Sequence, residues 1–334
     1  MCKRLILFLL LSSAIGCKPE PGTTETFRPE PVDEWAIPKE EVLYQNQPLD
    51  RIPSVDSPQF VPLASLDSSF FASRTRILVY RRQGTTKLYP YPYFTGHEIV
   101  NDRTAGHPHS ITVCPLTESS LHWLPILQGD TTTFGVSGRL YQDNLMPYDR
   151  ATGTIWSQLA LKAVNGPLIY QTPERLPLLE ISWHAARRYF PGAQVMDHPT
   201  EPGFCLYCQT GNEPSVSPNN PYLLPTATQN FVINRTDIPH ATVQRFRAGG
   251  QMYLATRDTA LGLMTVYRLR GAQQQAQFQR AAAPPAWLID TTGQQYDLWG
   301  KRLNGTGPEL AVAQGFFLNP HARQDFFPRA QGAL

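Results

Sequence analysis

A β-rich α+β fold of two related lobes, short strands with a few packed helices, is what the sequence predicts, and three observations predict it. The 334-residue chain carries 31 prolines and 23 glycines, which interrupt it too often for a helical bundle. Its apolar residues fall in short runs such as Ile77-Leu78-Val79-Tyr80, Ile111-Thr112-Val113 and Phe134-Gly135-Val136, each bounded by Gly, Pro, Asp or Thr. A set of turn signals also occurs twice: Asp149-Arg150-Ala151-Thr152-Gly153, Gly166-Pro167, Phe190-Pro191 and Ala193-Gln194 are matched by Asp290-Thr291-Thr292-Gly293, Gly307-Pro308, Phe327-Pro328 and Ala330-Gln331. The nearly constant offset points to an internal duplication in which one copy keeps a site; the alternative is chance recurrence of common turn dipeptides.

Taken in order, Lys3 and Arg4 precede the apolar run Leu5–Leu11, the charged-then-apolar layout of a secretory signal and too short to span a bilayer. Ala14-Ile15-Gly16-Cys17 resembles the bacterial lipobox. Residues 1–16 are therefore expected to be a signal peptide. Cys17 is expected to carry diacylglycerol and acyl chains of the palmitate kind as a membrane anchor. Residues 17–50 combine proline with charge, as in Lys18-Pro19-Glu20-Pro21 and Arg28-Pro29-Glu30-Pro31, and read as a flexible tether. The expected location is the cell envelope, lipid-anchored, with 51–200 as the first lobe and 201–334 as a second, plainer one. The segment Leu178–Tyr189, with Leu179, Trp183 and Ala186 at helical spacing before Pro191, is the best helical candidate.

With 41% hydrophobic residues, 17% charged residues and a formal net charge of +2, the composition is that of an ordinary globular protein. The arginines are scattered rather than gathered into a basic stripe, so no nucleic-acid partner is expected.

Potentially reactive residues concentrate between His97 and Trp156. The ordered phrases Arg51-Ile52-Pro53, Pro58-Gln59-Phe60, Gly96-His97-Glu98-Ile99-Val100-Asn101-Asp102, Cys114-Pro115-Leu116-Thr117, Phe134–Gly138, Tyr148-Asp149-Arg150 and Trp156-Ser157-Gln158 resemble the bacterial family called domain of unknown function 3179, well over about 51–196 and faintly beyond. The resemblance implies no settled activity. Many members place a second cysteine three positions after the first, where this chain has Thr117, which weakens a dithiol mechanism.

The residues themselves allow several chemistries. Cys114, at a strand end before Pro115, is a candidate nucleophile or copper or zinc ligand if His97 or His122 approaches it; otherwise it is a buried small hydrophobe. His97, Glu98, Asn101 and Asp102 on one helical turn would form a compact polar constellation, suited to proton transfer or to satisfying buried backbone. A zinc-protease motif fails because Asn101 stands where the second histidine is needed. Ser137 lacks the glycine of a nucleophile elbow and is expected to satisfy local backbone in a tight turn between Phe134 and Leu140. Asp149 and Arg150 could clamp an anion or pair with each other. Trp156 is expected in the core. Cys205 and Cys208 could close a disulfide or hold half a metal site, whose partner could only be His107 and His109, themselves read as a solvated turn. Two function classes remain open. One is an envelope protein with a Cys/His-centred ligand, metal or catalytic site in the first lobe; the other is a non-catalytic binding or scaffold module with an unidentified protein or small-molecule partner.

Overall fold

A computed structural model describes residues 34–44, 48–199, 217 and 219–334. Cys17, the signal segment, most of the tether and the Cys205/Cys208 pair lie outside the described residues. The described chain is mainly short antiparallel strands with few and short helices, consistent with the β-rich expectation.

After two short strands, Val55–Asp56 and Phe60–Pro62, the first lobe forms a hairpin, Arg76–Arg82 with Thr85–Pro90, and continues into a three-strand meander, Ile99–Thr104, His107–Cys114 and Ser119–Trp123. Strand Leu179–Ser182 returns antiparallel to the hairpin's first strand. A short helix, Trp183–Tyr189, then leads to Gln194–Met196, which runs parallel to the hairpin's second strand. From the hairpin onward, the second lobe repeats this order. Tyr222–Pro225 and Asn230–Ile233 form a hairpin, and Val243–Ala248, Gln251–Asp258 and Leu263–Leu269 a meander. Strand Phe316–Phe317 returns antiparallel, helix Pro320–Phe326 comes next, and Gln331–Gly332 closes the sheet in parallel.

The correspondence extends to register and turns. Leu78 faces Tyr89 as Tyr222 faces Ile233; Asp102 faces His109 as Phe246 faces Tyr253; Ile111 faces His122 as Ala255 faces Val266. Each meander's first turn has two residues with positive φ, Ala105-Gly106 (49°, 79°) and Gly249-Gly250 (52°, 76°), the geometry that suits the right-handed twist of a tight hairpin. Both helices are capped by a side chain, Ser182 accepting from the Ala185 amide and Asn319 from that of Ala322. Both end on a phenylalanine of nearly equal geometry, Phe190 (φ −130°, ψ 51°) and Phe327 (φ −134°, ψ 48°).

The main core joins both halves: Ile77, Val79, Leu88, Ile111 and Trp183 of the first share one apolar cluster with Leu254, Tyr267 and Trp287 of the second. Within the 17–50 segment, Trp35, Ala36, Ile37 and Val42 pack on a small cluster around Met146 and Ile155, and Val42–Tyr44 pair with Arg139–Tyr141. The folded body therefore begins before Arg51.

Several local expectations are corrected. Leu178–Tyr189 is helical only from Trp183, because Leu179–Ser182 is held as a strand against Arg76–Val79 and Ser182 caps the helix. Phe134–Tyr141 is a strand, not a turn, with a bulge at Ser137-Gly138 that lets the Ser137 hydroxyl donate to the Met146 carbonyl. His107-Pro108-His109 is no solvated turn: all three residues start a strand, and His109 is buried.

Candidate functional site

A buried polar cluster that carries charge lies between the first lobe's hairpin sheet and its meander sheet. Period-two alternation sends Lys87 and Tyr89 of the hairpin to the same face. Both meet Asp102 of the meander: Lys87 Nζ donates to Asp102 Oδ2 at 2.7 Å and Tyr89 OH donates to the same oxygen at 2.8 Å. The lysine also donates to the Arg103 carbonyl at 2.9 Å and sits 4.0 Å from the Phe60 ring centre. A buried ion pair needs such additional bonds to offset the loss of hydration.

Two histidines extend the cluster inward. His122 Nδ1 is 2.9 Å from the Pro177 carbonyl and must carry the proton, which leaves Nε2 as an acceptor in the neutral ring. His109 Nδ1, 3.0 Å away, therefore donates to it, and His109 Nε2 accepts from the Thr104 hydroxyl at 2.8 Å. Two cationic rings would set N–H against N–H across this contact, and burial favours the neutral form of both, which gives these donor and acceptor roles. Burial holds both below the ordinary histidine value, His122 at about 4 and His109 at about 2, the latter pushed further by His122, Lys87 and Arg82. Tyr80 packs against both rings.

The second lobe builds the same framework without this network. Where the first lobe has Lys87, Tyr89, Asp102, Thr104, His109 and His122, the corresponding register positions hold Phe231, Ile233, Phe246, Ala248, Tyr253 and Val266. Phe246 and Tyr253 stack where Asp102 faces His109. The second lobe thus keeps these registers without polar groups at these positions, apart from the Tyr253 hydroxyl.

Asp102 and His109 reach a cleft of about 320 Å³, bounded also by Asn101, Arg103 and Ser110, by Asp56–Gln59 and by Thr131–Thr133. A neighbouring cleft of about 420 Å³ shares Asp56–Gln59 and adds Asp50, Arg150 and His198. A further surface depression, about 740 Å³, is lined by Trp183, Arg187, Ser69, Phe71 and Ser73 among others and includes none of the network. It is broad and open, so the polar network marks the better candidate.

The residues singled out by sequence separate into several environments. His97, Glu98, Asn101 and Asp102 do not share a helical turn, since Ile99–Thr104 is a strand. His97 lies just before it with Nδ1 donating to the Pro53 carbonyl at 2.8 Å. Glu98 has positive φ (57°), and burial raises its carboxyl to about 7. Asn101 is fully engaged: its amide donates to Asp56 and the Phe134 carbonyl, and its oxygen accepts from Ser110 and the Phe134 amide. That oxygen and amide pin three segments together.

Cys114 ends its strand as expected and is buried, its thiol donating to the Asp143 carbonyl at 3.4 Å, and burial pushes its pKa up. Its bonding partner is thus a different segment from that of His97. Among the described residues no group of three or more His, Cys, Asp or Glu side chains could hold a metal ion, so copper or zinc at Cys114 and His97 gains no third ligand. Asp149 and Arg150 do not pair with each other. Asp149 accepts from the Thr152 amide and hydroxyl and from Trp156 Nε1 at 3.0 Å, closing a turn. Arg150 bridges Asp50 (3.1 Å) and Asp56 (3.0 Å) and is partly exposed at the second cleft. Trp156 is fully buried in a cluster with Trp123 and Phe134.

Sequence reading named Asp102 but missed Lys87, Tyr89, Thr104 and His109 as its partners. The available signal was alternation: Lys87 and Tyr89 on one strand, and His107 and His109 on another, each share a face. Neither a curated protein nor a solved structure matches this chain. Residues 49–204, which include the whole polar network and both clefts, match the family described as protein of unknown function (DUF3179).

Proposed function

We propose that the protein is a lipid-anchored binding module of the bacterial cell envelope, whose first lobe takes a small, hydroxyl-rich polar ligand in the cleft over Asp102 and His109. The observation that carries this reading is the contrast between lobes: six buried polar positions in one are apolar or aromatic in the other at the same register. Buried polar groups reduce stability unless every bond is made, so their retention in one lobe alone favours a role in recognition. The cleft offers hydroxyls and amides, with Pro58, Pro108 and Pro125 as apolar faces, a mixture suited to sugars or polyols. Buried Cys114 argues against thiol chemistry.

The anchor reading rests on Lys3-Arg4, the apolar run and Ala14-Ile15-Gly16-Cys17. No described helix is long and apolar enough to cross a membrane. The shared strand order, registers and helix caps support an ancestral duplication, after which the first lobe kept or gained the site. The test is a thermal-shift screen of the full chain against monosaccharides and polyols, beside a Lys87→Met/Asp102→Leu protein. A compound that stabilises only the former supports the reading; no stabilising compound, or equal shifts in both proteins, contradicts it.

A further inference from the structure

A second polar feature lies at the junction of the lobes, away from Asp102. Glu180, on the first lobe's return strand, is 2.5 Å from Arg76 and 3.9 Å from Arg235 of the second lobe, so one buried carboxylate serves two buried guanidinium groups. Arg76 takes the closer position. Arg235 Nε and Nη2 are sealed from solvent without a hydrogen-bond partner, and its ring contact is with Phe317, 3.8 Å from the ring centre. Its charge is left largely uncompensated.

Arg235 lines a pocket of about 200 Å³ together with Arg74 and Arg257. Arg257 donates to the carbonyls of Arg235 and Ile238, and Arg74 to that of Thr259; these are neutral acceptors that fix the side chains without cancelling their charge. The one acidic residue on the wall, Asp258, is already paired with Arg280 at 3.2 Å. Burial, with Arg76 and Arg257 close by, lowers the Arg235 pKa to about 10, which still leaves it cationic at neutral pH. Three arginines thus line a small space whose one carboxylate is committed elsewhere. The volume exceeds several waters at roughly 30 Å³ each.

We infer that this junction pocket binds a small oxyanion, a phosphate, sulfate or carboxylate group held by Arg74, Arg235 and Arg257. Guanidinium forks match the geometry of such groups, and a partly enclosed site screens the attraction less than open water does. The ligand would bridge residues of both lobes.

The test uses the full chain in detergent, titrated calorimetrically with inorganic phosphate and with sulfate against chloride at matched ionic strength. Arg74 is exposed, so Arg74→Gln spares the buried arginines and keeps its anion-free melting temperature. Saturable phosphate or sulfate binding that weakens about tenfold in Arg74→Gln and is unchanged in Lys87→Met/Asp102→Leu is the expected result. No saturable binding beyond chloride, equal affinity in Arg74→Gln, or loss in the Lys87→Met/Asp102→Leu protein instead would overturn the inference. The last outcome would assign the anion to the cleft over Asp102.

Discussion

Nε2 of His122 lies 3.0 Å from Nδ1 of His109, with the rings edge to face and their centroids 4.9 Å apart. This contact fixes both tautomers and orders the chain of bonds that runs from the Pro177 carbonyl to Thr104. The contact cannot hold two cationic rings, and burial favours the neutral form of each.

Stability should therefore fall in mild acid. A histidine held below its unfolded value binds fewer protons when folded. Its contribution is fully present above about pH 6.5 and is lost as pH falls toward the folded value. Between pH 7 and pH 5 the expected loss is about 2 kcal/mol per histidine. Glu98 acts in the opposite sense: its raised carboxyl is penalised above about pH 7 and relieved as pH drops toward 4.5, so the comparison is made in a Glu98→Gln background. Urea unfolding at both pH values should show a shallower pH dependence in Glu98→Gln/His122→Val than in Glu98→Gln, and equal slopes would contradict the assignment.

Cys114 should behave as a core residue. Burial raises its thiol pKa, so alkylation at pH 8 should proceed only as fast as the protein opens, and added copper(I) or zinc should give no His97-dependent protection. Removing residues 1–17 and replacing Cys205 and Cys208 by serine leaves Cys114 as the single thiol. Rapid modification in the folded state would show the thiol to be reactive after all.

The two Asp-closed turns should differ in weight. Asp149 is wholly buried and receives Thr152 and Trp156, whereas Asp290 receives Thr292, Gln294 and Tyr296 nearer the surface. Asp149→Ala is expected to cost roughly 3 kcal/mol, because a buried indole N–H loses a charged acceptor, and Asp290→Ala less. Chemical denaturation of both proteins gives the order, and the reverse order would show that burial does not set the weight of these turns.

Strand content was legible because β-branched and aromatic runs punctuated by Gly and Pro leave few other solutions. The paired turn signals at Asp149 and Asp290 and at Phe190 and Phe327 lie at matching places in the two lobes. What could not be read was which face each polar residue took. His97–Asp102 fits one helical turn as well as a turn followed by a strand, and only the pairing with His107–Ser110 decides. Asp102 was visible as a candidate, but Lys87 and Tyr89 reach it from another sheet, and no local spacing announces a contact between sheets. Adjacency in sequence suggests that Arg150 either pairs with Asp149 or joins it on an anion; its carboxylates come instead from Asp50 and Asp56.

The most direct test of the central claim, that the Lys87–Asp102 cluster serves recognition rather than folding, is the unfolding free energy of Lys87→Met/Asp102→Leu at pH 7. Replacing a complete buried ion pair by apolar residues of similar size is commonly neutral or stabilising by about 1–4 kcal/mol, whereas Asp102→Leu alone, which strands the lysine, should cost about 3–5 kcal/mol. The account predicts a double variant at least as stable as the natural protein. A double variant destabilised as much as the single one would show that the first lobe needs this network to fold, and would contradict the account.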